Sequence, residues 1–224
     1  MKIGVLLPTF RTSPEGAFAA AELAERAGLD GVFAYDHLWP MGTPERPALA
    51  PFAVLSAVAR RHESLSVAPL VARIGLVGTE HLVEQFETLE ALYPGRVIAA
   101  LGTGDRLSAA ENEAYGLALQ SAQERRALLG EAARRLRARM PVWIGGGASS
   151  TNDLARELGV AINLWDANVE RVREVAALGP VTWAGPEPED LDATLDALST
   201  AGATWAVLSP QVDIARLAQW RARS

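Results

Sequence analysis

Short apolar runs alternate with longer segments of helical periodicity along the chain. The runs show no strict alternation of polar and apolar positions, which is typical of strands covered on both faces. The pattern predicts eight strands, over Ile3–Pro8, Gly31–Asp36, Ser66–Val71, Val97–Gly102, Val142–Gly146, Ala161–Trp165, Val181–Gly185 and Thr204–Ser209. A predicted helix follows each strand, over Pro14–Ala27, Pro51–Arg61, Glu80–Leu92, Ser121–Ala138, Asn152–Leu158, Val169–Ala177, Pro188–Thr200 and Val212–Arg223. Ser150 with Asp153 resembles a capping box at the start of the fifth helix.

Eight successive strand–helix units predict an α/β fold, a (β/α)8 TIM barrel that forms a single domain over residues 1–224. Strand–helix–strand crossovers keep one hand, and the eighth strand can then pair with the first. The alternative is an open doubly wound sheet, which needs no set of eight regularly spaced strands. Two connections are long, Trp39–Ala50 and Gly102–Gln120. Both follow a strand, so we expect them on the carboxyl-terminal face, where barrel enzymes place their chemistry.

Composition and charge exclude several classes of protein. Of the 224 residues, 49% are apolar and 21% are charged, which excludes a disordered chain. The net charge of −6 argues against a nucleic-acid partner. No apolar run reaches the roughly 18 residues of a membrane span, and Met1–Pro8 lacks the features of a signal peptide. The sequence has no cysteine and no histidine pair with metal-ligand spacing, so we expect a soluble, cytoplasmic protein without a metal site.

The first candidate site is the segment Tyr35–Trp39, at the exit of the second predicted strand. Asp36 and His37 stand side by side there, and an acid next to an imidazole can supply a proton acceptor at a barrel mouth. The alternative is that Asp36 caps backbone amides while His37 is merely half-exposed at a strand end. Trp39 lies in the polar loop directly after His37, unlike the other tryptophans, which we expect in strands or in packing.

The second candidate site is Gly102-Thr103-Gly104-Asp105, at the exit of the fourth predicted strand. Glycines let a flat or anionic ligand approach the main chain, and Thr103 offers a hydroxyl. The segment lacks the third glycine and the immediate helix of a dinucleotide fingerprint, so a Rossmann site is rejected. A simple turn is the alternative. Asp105 is expected to face the same mouth as His37.

The third candidate site is Gly145-Gly146-Gly147, which runs from the fifth predicted strand into a helix start. Free N–H groups at such a place form a cradle for phosphate, although the segment has no lysine and is not a Walker loop. A flexible turn is the alternative. If the cradle exists, Gly146→Asp should weaken phosphate binding far more than it weakens folding, because the added carboxylate repels the anion.

The chain resembles the luciferase-like flavin and deazaflavin oxidoreductases. The resemblance rests on an ordered series of segments: Lys2–Pro8, Ala20–Val32 running into Asp36-His37, Thr88-Leu89 through Pro94–Ile98, Gly102–Gly104, Glu111–Gly116 and Pro141–Gly146. It implies a (β/α)8 barrel that binds FMN or the deazaflavin coenzyme F-420 at its carboxyl-terminal mouth, with the phosphate near the glycines after the fifth strand. Relatives commonly form dimers through outer helices, so the resemblance also implies a homodimer.

The resemblance further implies hydride exchange between the cofactor and a small organic substrate. His37 would exchange a proton with the substrate's oxygen, Asp36 would orient His37, and Trp39 would contact the cofactor. Asp105 aligns with an acidic residue of deazaflavin-dependent relatives, which favours coenzyme F-420 over FMN. The alternatives are an FMN-dependent monooxygenase, a non-catalytic flavin-binding barrel, and a phosphate-binding isomerase without a redox cofactor.

The chain departs from the family pattern at two places. Arg134–Arg139 runs directly into Met140-Pro141, where members usually carry a long insertion that helps to wall the cofactor and the substrate. The usual Ala-Asp-Gly-Trp-Asn segment is replaced by Gly159–Asn163, which keeps only Asn163 in register. These departures leave open a reduced member that binds its cofactor weakly or without catalysis.

Overall fold

The computed structural model describes residues 1–40, 42–104 and 108–223. Its strands are β1 Lys2–Leu6, β2 Gly31–Ala34, β3 Ser66–Pro69, β4 Ala72–Arg73, β5 Ala99–Gly102, β6 Val142–Gly146, β7 Ala161–Trp165, β8 Val181–Gly185 and β9 Ala203–Leu208. Its helices are α1 Glu15–Arg26, α2 Pro51–Arg61, α3 Thr79–Leu92, α4 Ala109–Ala114, α5 Ala122–Leu136, α6 Ser149–Leu158, α7 Val169–Ala176, α8 Leu191–Thr200 and α9 Ile214–Arg223. Within these ranges no helix is both long and apolar enough to cross a membrane.

The strands form one nearly closed parallel barrel. Their order is β3-β2-β1-β9-β8-β7-β6-β5-β4, so β1 lies beside β9 as predicted. A parallel bridge between Val67 and Val97 joins β3 to the segment before β5 and nearly completes the ring. With helices between the strands, this is the predicted TIM-barrel-like α/β fold, and the open doubly wound sheet is excluded.

Two short elements lie outside the prediction. The two-residue strand β4 follows β3 after a cis peptide bond between Leu70 and Val71, and it pairs in parallel with β5. The helix α4 lies inside the Gly102–Gln120 connection, which the sequence predicted as a polar loop. Both elements are too short for a hydrophobic period to be recognised, which needs a longer window.

The predicted capping box at Ser150 and Asp153 is wrong. The helix α6 begins at Ser149, and its N-cap residue is Ala148, which offers no side-chain cap. A capping box occurs instead at the start of α5. There the Ser121 amide donates to Glu124 Oε2 over 2.9 Å, and the Glu124 amide donates to Ser121 Oγ over 3.2 Å.

Side chains from alternate strand positions fill the barrel interior and leave the site above them. The interior cluster consists of Leu6, Phe33, Ala68, Leu70, Ile98, Ala100, Trp143, Ala184, Trp205 and Val207. The rings of Phe33, Trp143 and Trp205 pack with centroids 5.4 to 5.7 Å apart. Gly4 provides room for them, because a Cβ on Gly4 would lie 2.5 Å from a ring carbon of Phe33. The barrel is therefore a packed core, and ligands have access only at its ends.

Candidate functional site

The carboxyl ends of the strands surround a cavity of about 660 Å³. It lies on the face where the sequence placed the candidate chemistry. The predicted site residues on its wall are His37, Gly102, Thr103, Gly104, Gly145, Gly146 and Gly147. Three segments that are far apart in the sequence therefore meet at one mouth, as predicted from the ends of parallel strands.

His37 is held by Glu111, a residue of α4. Nδ1 of His37 lies 2.8 Å from Glu111 Oε1, and the Leu38 amide donates to Glu111 Oε2 over 2.9 Å. The Glu111 side chain is 1% exposed, whereas that of His37 is 25% exposed. The buried carboxylate thus fixes the imidazole through one ring nitrogen while the ring itself stays on the cavity wall.

Arg73, in the short strand β4, ties the two acidic residues of the site together. Its amide donates to Asp36 Oδ2 over 2.7 Å, and its Nε donates to the Asp36 carbonyl over 2.9 Å. Its Nη2 donates to Glu111 Oε2 over 2.7 Å. The Arg73 side chain is buried and lines the cavity, and its Nη1 has no hydrogen-bond partner among the residues that the structure describes. A buried donor without a partner is costly unless a ligand satisfies it.

The predicted orientation of His37 by Asp36 is corrected by these contacts. The Asp36 carboxylate accepts from Arg73, whereas Glu111 holds the imidazole. Asp36 is also not among the residues that line the cavity. Burial raises the pKa of the Asp36 carboxyl, and the amide and charge of Arg73 offset part of that rise. Asp36 therefore supports the wall behind the site.

The glycines of the site differ in what surrounds them. A Cβ on Gly102 would lie 2.5 Å from Cγ2 of Val71, so only glycine fits there without a shift. A Cβ on Gly146 would lie 2.6 Å from Cγ2 of Ile162, a residue that does not line the cavity. A Cβ on Gly147 meets no atom within 4 Å. Gly146→Asp would therefore disturb packing, contrary to the expectation from sequence, and Gly147 is the position that faces open space.

The helix α6 starts at the rim of the cavity. Ala148 and Thr151 line the cavity, and the Thr151 hydroxyl donates to the Ala148 carbonyl over 2.8 Å. The N-cap residue Ala148 offers no side-chain cap, and within the first turn the Thr151 amide donates to the Ala148 carbonyl over 3.1 Å. Such an end attracts anions, which fits the predicted phosphate cradle.

Three aromatic residues, Phe10, Tyr35 and Trp165, also line the cavity. Phe10 stacks on Tyr35 with ring centroids 5.0 Å apart, and Tyr35 lies 6.3 Å from Trp165. Trp165 is 50% exposed, at the end of β7. Burial raises the pKa of Tyr35 to about 12, so its phenol stays neutral at physiological pH. Neither Phe10 nor Tyr35 was singled out as a binding residue from sequence.

Two predicted residues are not brought to the cavity by the described structure. Trp39 is half-buried and is not among the lining residues. Asp105 lies outside the described residues, so its predicted place opposite His37 stays a prediction. Sequence reasoning missed Arg73, although a lone arginine two residues after the apolar run Ser66–Val71 is a signal of a buried charge with a partner.

Known sequences match much of the chain. The family model described as luciferase-like monooxygenase matches residues 1–140. A relative named F420-dependent glucose-6-phosphate dehydrogenase, from Mycolicibacterium smegmatis, is 28% identical over 163 residues, which cover 72% of this chain and 47% of the relative. A relative from Mycobacterium tuberculosis named F420-dependent hydroxymycolic acid dehydrogenase is 32% identical over 107 residues, which cover 47% of this chain and 30% of the relative. The chain thus spans about half the length of such curated relatives, or less.

Solved structures share the fold at low sequence identity. An F420-dependent secondary alcohol dehydrogenase in complex with an F420-acetone adduct superposes with a TM-score of 0.81 at 14% identity, covering 97% of each chain. The coenzyme F420-dependent tetrahydromethanopterin reductase from Methanopyrus kandleri gives 0.74 at 12% identity, covering 98% of this chain and 96% of that one. The sequence match covers more than half of the chain and agrees with the fold. The chain therefore belongs to the luciferase-like monooxygenase family.

Proposed function

We propose that the protein is a flavin-type oxidoreductase that exchanges a hydride between its cofactor and a small organic substrate, with coenzyme F-420 favoured over FMN. The observation that carries the proposal is the convergence of His37, Gly102–Gly104 and Gly145–Gly147 on one cavity at the carboxyl ends of the strands. Relatives named as F420-dependent dehydrogenases support the choice of cofactor. Their names also make a phosphorylated sugar one candidate substrate.

The residues present fit such a cofactor. Gly147 and the uncapped start of α6 offer space and amide donors for its phosphate. Gly104 gives the main chain close access to a flat ring, whereas Val71 fills the space beside Gly102, and Arg73 Nη1 is a donor left for a ring oxygen. When bound, the flavin or deazaflavin ring supplies the hydride chemistry, while the protein supplies binding, orientation and proton transfer.

In this proposal His37 carries out the proton transfer of the reaction. With Nδ1 engaged by Glu111, Nε2 of His37 is the nitrogen left to exchange a proton with the substrate's hydroxyl or carbonyl oxygen. Glu111 acts as a positioning residue, because it holds the ring without facing the cavity. Arg73 in turn donates to Glu111 Oε2. The carboxylate that orients His37 is therefore buried and paired with a cation.

A titration of the purified protein with coenzyme F-420 and with FMN tests the proposal. Absorbance and tryptophan quenching should reveal saturable binding of at least one of them at micromolar concentration, with coenzyme F-420 the tighter. Binding of neither would contradict the proposal. Tighter binding of FMN together with oxygen consumption would favour the FMN-dependent monooxygenase, and binding without any turnover would favour the non-catalytic barrel.

We also infer that the protein acts as a homodimer in the cytoplasm. A groove between α2 and α3 is lined by Phe52, Leu89 and Leu92, and Leu92 is 59% exposed. A second copy of the chain would cover this apolar surface. The absence of cysteine from the sequence agrees with a reducing compartment.

Sedimentation velocity tests the dimer. The wild-type protein should sediment as a dimer that dissociates on dilution, and Leu92→Glu should shift the equilibrium toward the monomer because it places a charge in the apolar groove. Leu178→Glu is the matched control, since Leu178 is also exposed but follows α7, away from the groove. A monomer mass at every concentration would contradict the dimer.

A further inference from the structure

We propose that Asn163 binds the ring of the cofactor, with its side-chain oxygen Oδ1 accepting a hydrogen bond from the N3–H group of the pyrimidinedione edge. This proposal rests on the proposed function, because it names a contact inside the same cavity. Flavin and deazaflavin rings both carry this N–H group, so the contact holds for either cofactor. Two independent observations carry it: the orientation of the Asn163 amide, and its place beside an apolar wall.

Asn163 faces the interior of the barrel. Alternate residues of β7 point inward: Ala161 packs against the interior cluster, and Asn163 and Trp165 line the cavity. Ile162 and Leu164 pack instead in the core that the strands share with the helices. Asn163 is 4% exposed, whereas Trp165 is 50% exposed. The Asn163 amide is therefore a polar group deep in the mouth, below the rim at Trp165.

Thr182 fixes the direction of this amide. It lies beside Asn163 on the neighbouring strand β8 and is fully buried. Nδ2 of Asn163 donates to Thr182 Oγ1 over 2.9 Å, which leaves Oδ1 as the end of the amide for the cavity. Oδ1 accepts no hydrogen bond from a residue in the described part of the chain. A nearly buried carbonyl oxygen without a donor is costly, so a ligand that brings an N–H group gains a hydrogen bond there.

The wall next to Asn163 suits the face of a flat ring. Gly145 pairs with Asn163 across β6 and β7, at a strand spacing of about 4.8 Å. Cγ2 of Val71 lies 3.4 Å from the position of a Cβ on Gly145 and 2.5 Å from that of a Cβ on Gly102. Val71 thus covers both glycines and presents an apolar surface to the cavity that it lines. A ring that packs its face on Val71 brings one edge toward Asn163.

Asn163 also supplies the kind of group that the pyrimidinedione edge needs. That edge has one N–H group between two carbonyl groups, so it calls for an acceptor as well as for donors. Among the described residues that line the cavity, Asn163 is the one with a side-chain carbonyl oxygen. Arg73 offers only donors, and its Nη1 is the donor already assigned to a ring oxygen. Asn163 therefore provides the acceptor of the site.

A pair of cofactor analogues tests the contact. The pair is made on whichever cofactor binds more tightly, coenzyme F-420 or FMN, and consists of the unmodified compound and its N3-methyl derivative. Fluorescence titration gives both dissociation constants. We expect the wild type to bind the methylated compound at least about tenfold more weakly, which corresponds to about 1.4 kcal/mol. Equal affinity would overturn the contact and leave the proposed function standing, whereas binding of neither cofactor would overturn the proposed function itself.

Two variants separate the hydrogen bond from a steric effect of the methyl group. Asn163→Leu keeps the size of the side chain without its polar atoms, so it should weaken the unmodified cofactor about tenfold and reduce the penalty for methylation to within about threefold. Thr182→Val keeps the shape of Thr182 but releases Nδ2, and it should weaken the unmodified cofactor about threefold. Thermal unfolding checks that both variants fold. A methylation penalty in Asn163→Leu as large as that of the wild type, or unchanged affinity in both variants, would contradict the contact.

Discussion

Nδ1 of His37 and Oε1 of Glu111 lie 2.8 Å apart although 74 positions separate them in the sequence. The contact joins the exit of β2 to the helix α4. Arg73, in β4, donates to the other oxygen of the same carboxylate. The imidazole that the sequence placed at the barrel mouth therefore has its support from a distant carboxylate and not from its neighbour Asp36.

This contact gives a prediction for a matched pair of variants. Glu111→Gln should lower turnover about 10- to 100-fold, the usual scale for a group that orients a functional side chain. Glutamine has a single side-chain oxygen, so it cannot replace Oε1 towards His37 and Oε2 towards Arg73 at the same time. Asp36→Asn should lower it far less, since Asp36 bonds to Arg73 and not to the imidazole. Steady-state kinetics at saturating cofactor checks both, with thermal unfolding as a control for folding. The reverse order of the two losses would contradict the assignment.

Asp36 should make the stability of the protein depend on pH. Burial raises its pKa in the folded state, so the folded state binds the proton more tightly than the unfolded state. Stability from this group is then lost as pH rises above about 3.9, the unfolded value, and through the raised folded value. In urea unfolding, the stability of the wild type relative to Asp36→Asn should therefore fall as the pH rises above about 4. A constant difference, or one that grows with pH, would contradict the burial of an ionised Asp36.

The phosphate cradle is tested at Gly147. Gly147→Asp should weaken the binding of coenzyme F-420 about tenfold or more, because a carboxylate would stand in open space beside the uncapped start of α6. Gly147→Asn has the same shape without the charge and should bind nearly as the wild type does. Fluorescence titration gives both affinities. Equal loss in the two variants would indicate a steric effect and remove the anion site from the account.

Substitution by alanine should lower the stability of the fold at Gly102 but leave it nearly unchanged at Gly147. Gly102→Ala should destabilise the fold by about 1–3 kcal/mol, since its Cβ would collide with Val71 between two strands. Gly147→Ala should stay within about 0.5 kcal/mol of the wild type, because the space around it is open. Chemical denaturation measures both, and a stable Gly102→Ala variant would show that the close approach of Val71 is dispensable.

The features of the fold that could be predicted from the sequence are those that arise from a repeated pattern of strands and helices. The barrel, its long strands and the face of the site follow from hydrophobic pattern and from the geometry of parallel crossovers. The single residues that complete the site do not repeat. Arg73 lies in a strand of two residues, and α4 carries Glu111 within a segment that has the polarity of a loop. A bond across the barrel mouth depends on how these short elements pack, which no local pattern encodes.

The most direct test of the account is the rate of hydride transfer in His37→Asn, measured in a single turnover together with the affinity for the cofactor. If His37 exchanges the substrate's proton, the rate should fall by about 10²–10⁴-fold. The affinity for the cofactor should change little, because the glycine segments and the start of α6 hold it. A His37→Asn variant that keeps the wild-type rate of hydride transfer would contradict the role of His37 in proton exchange.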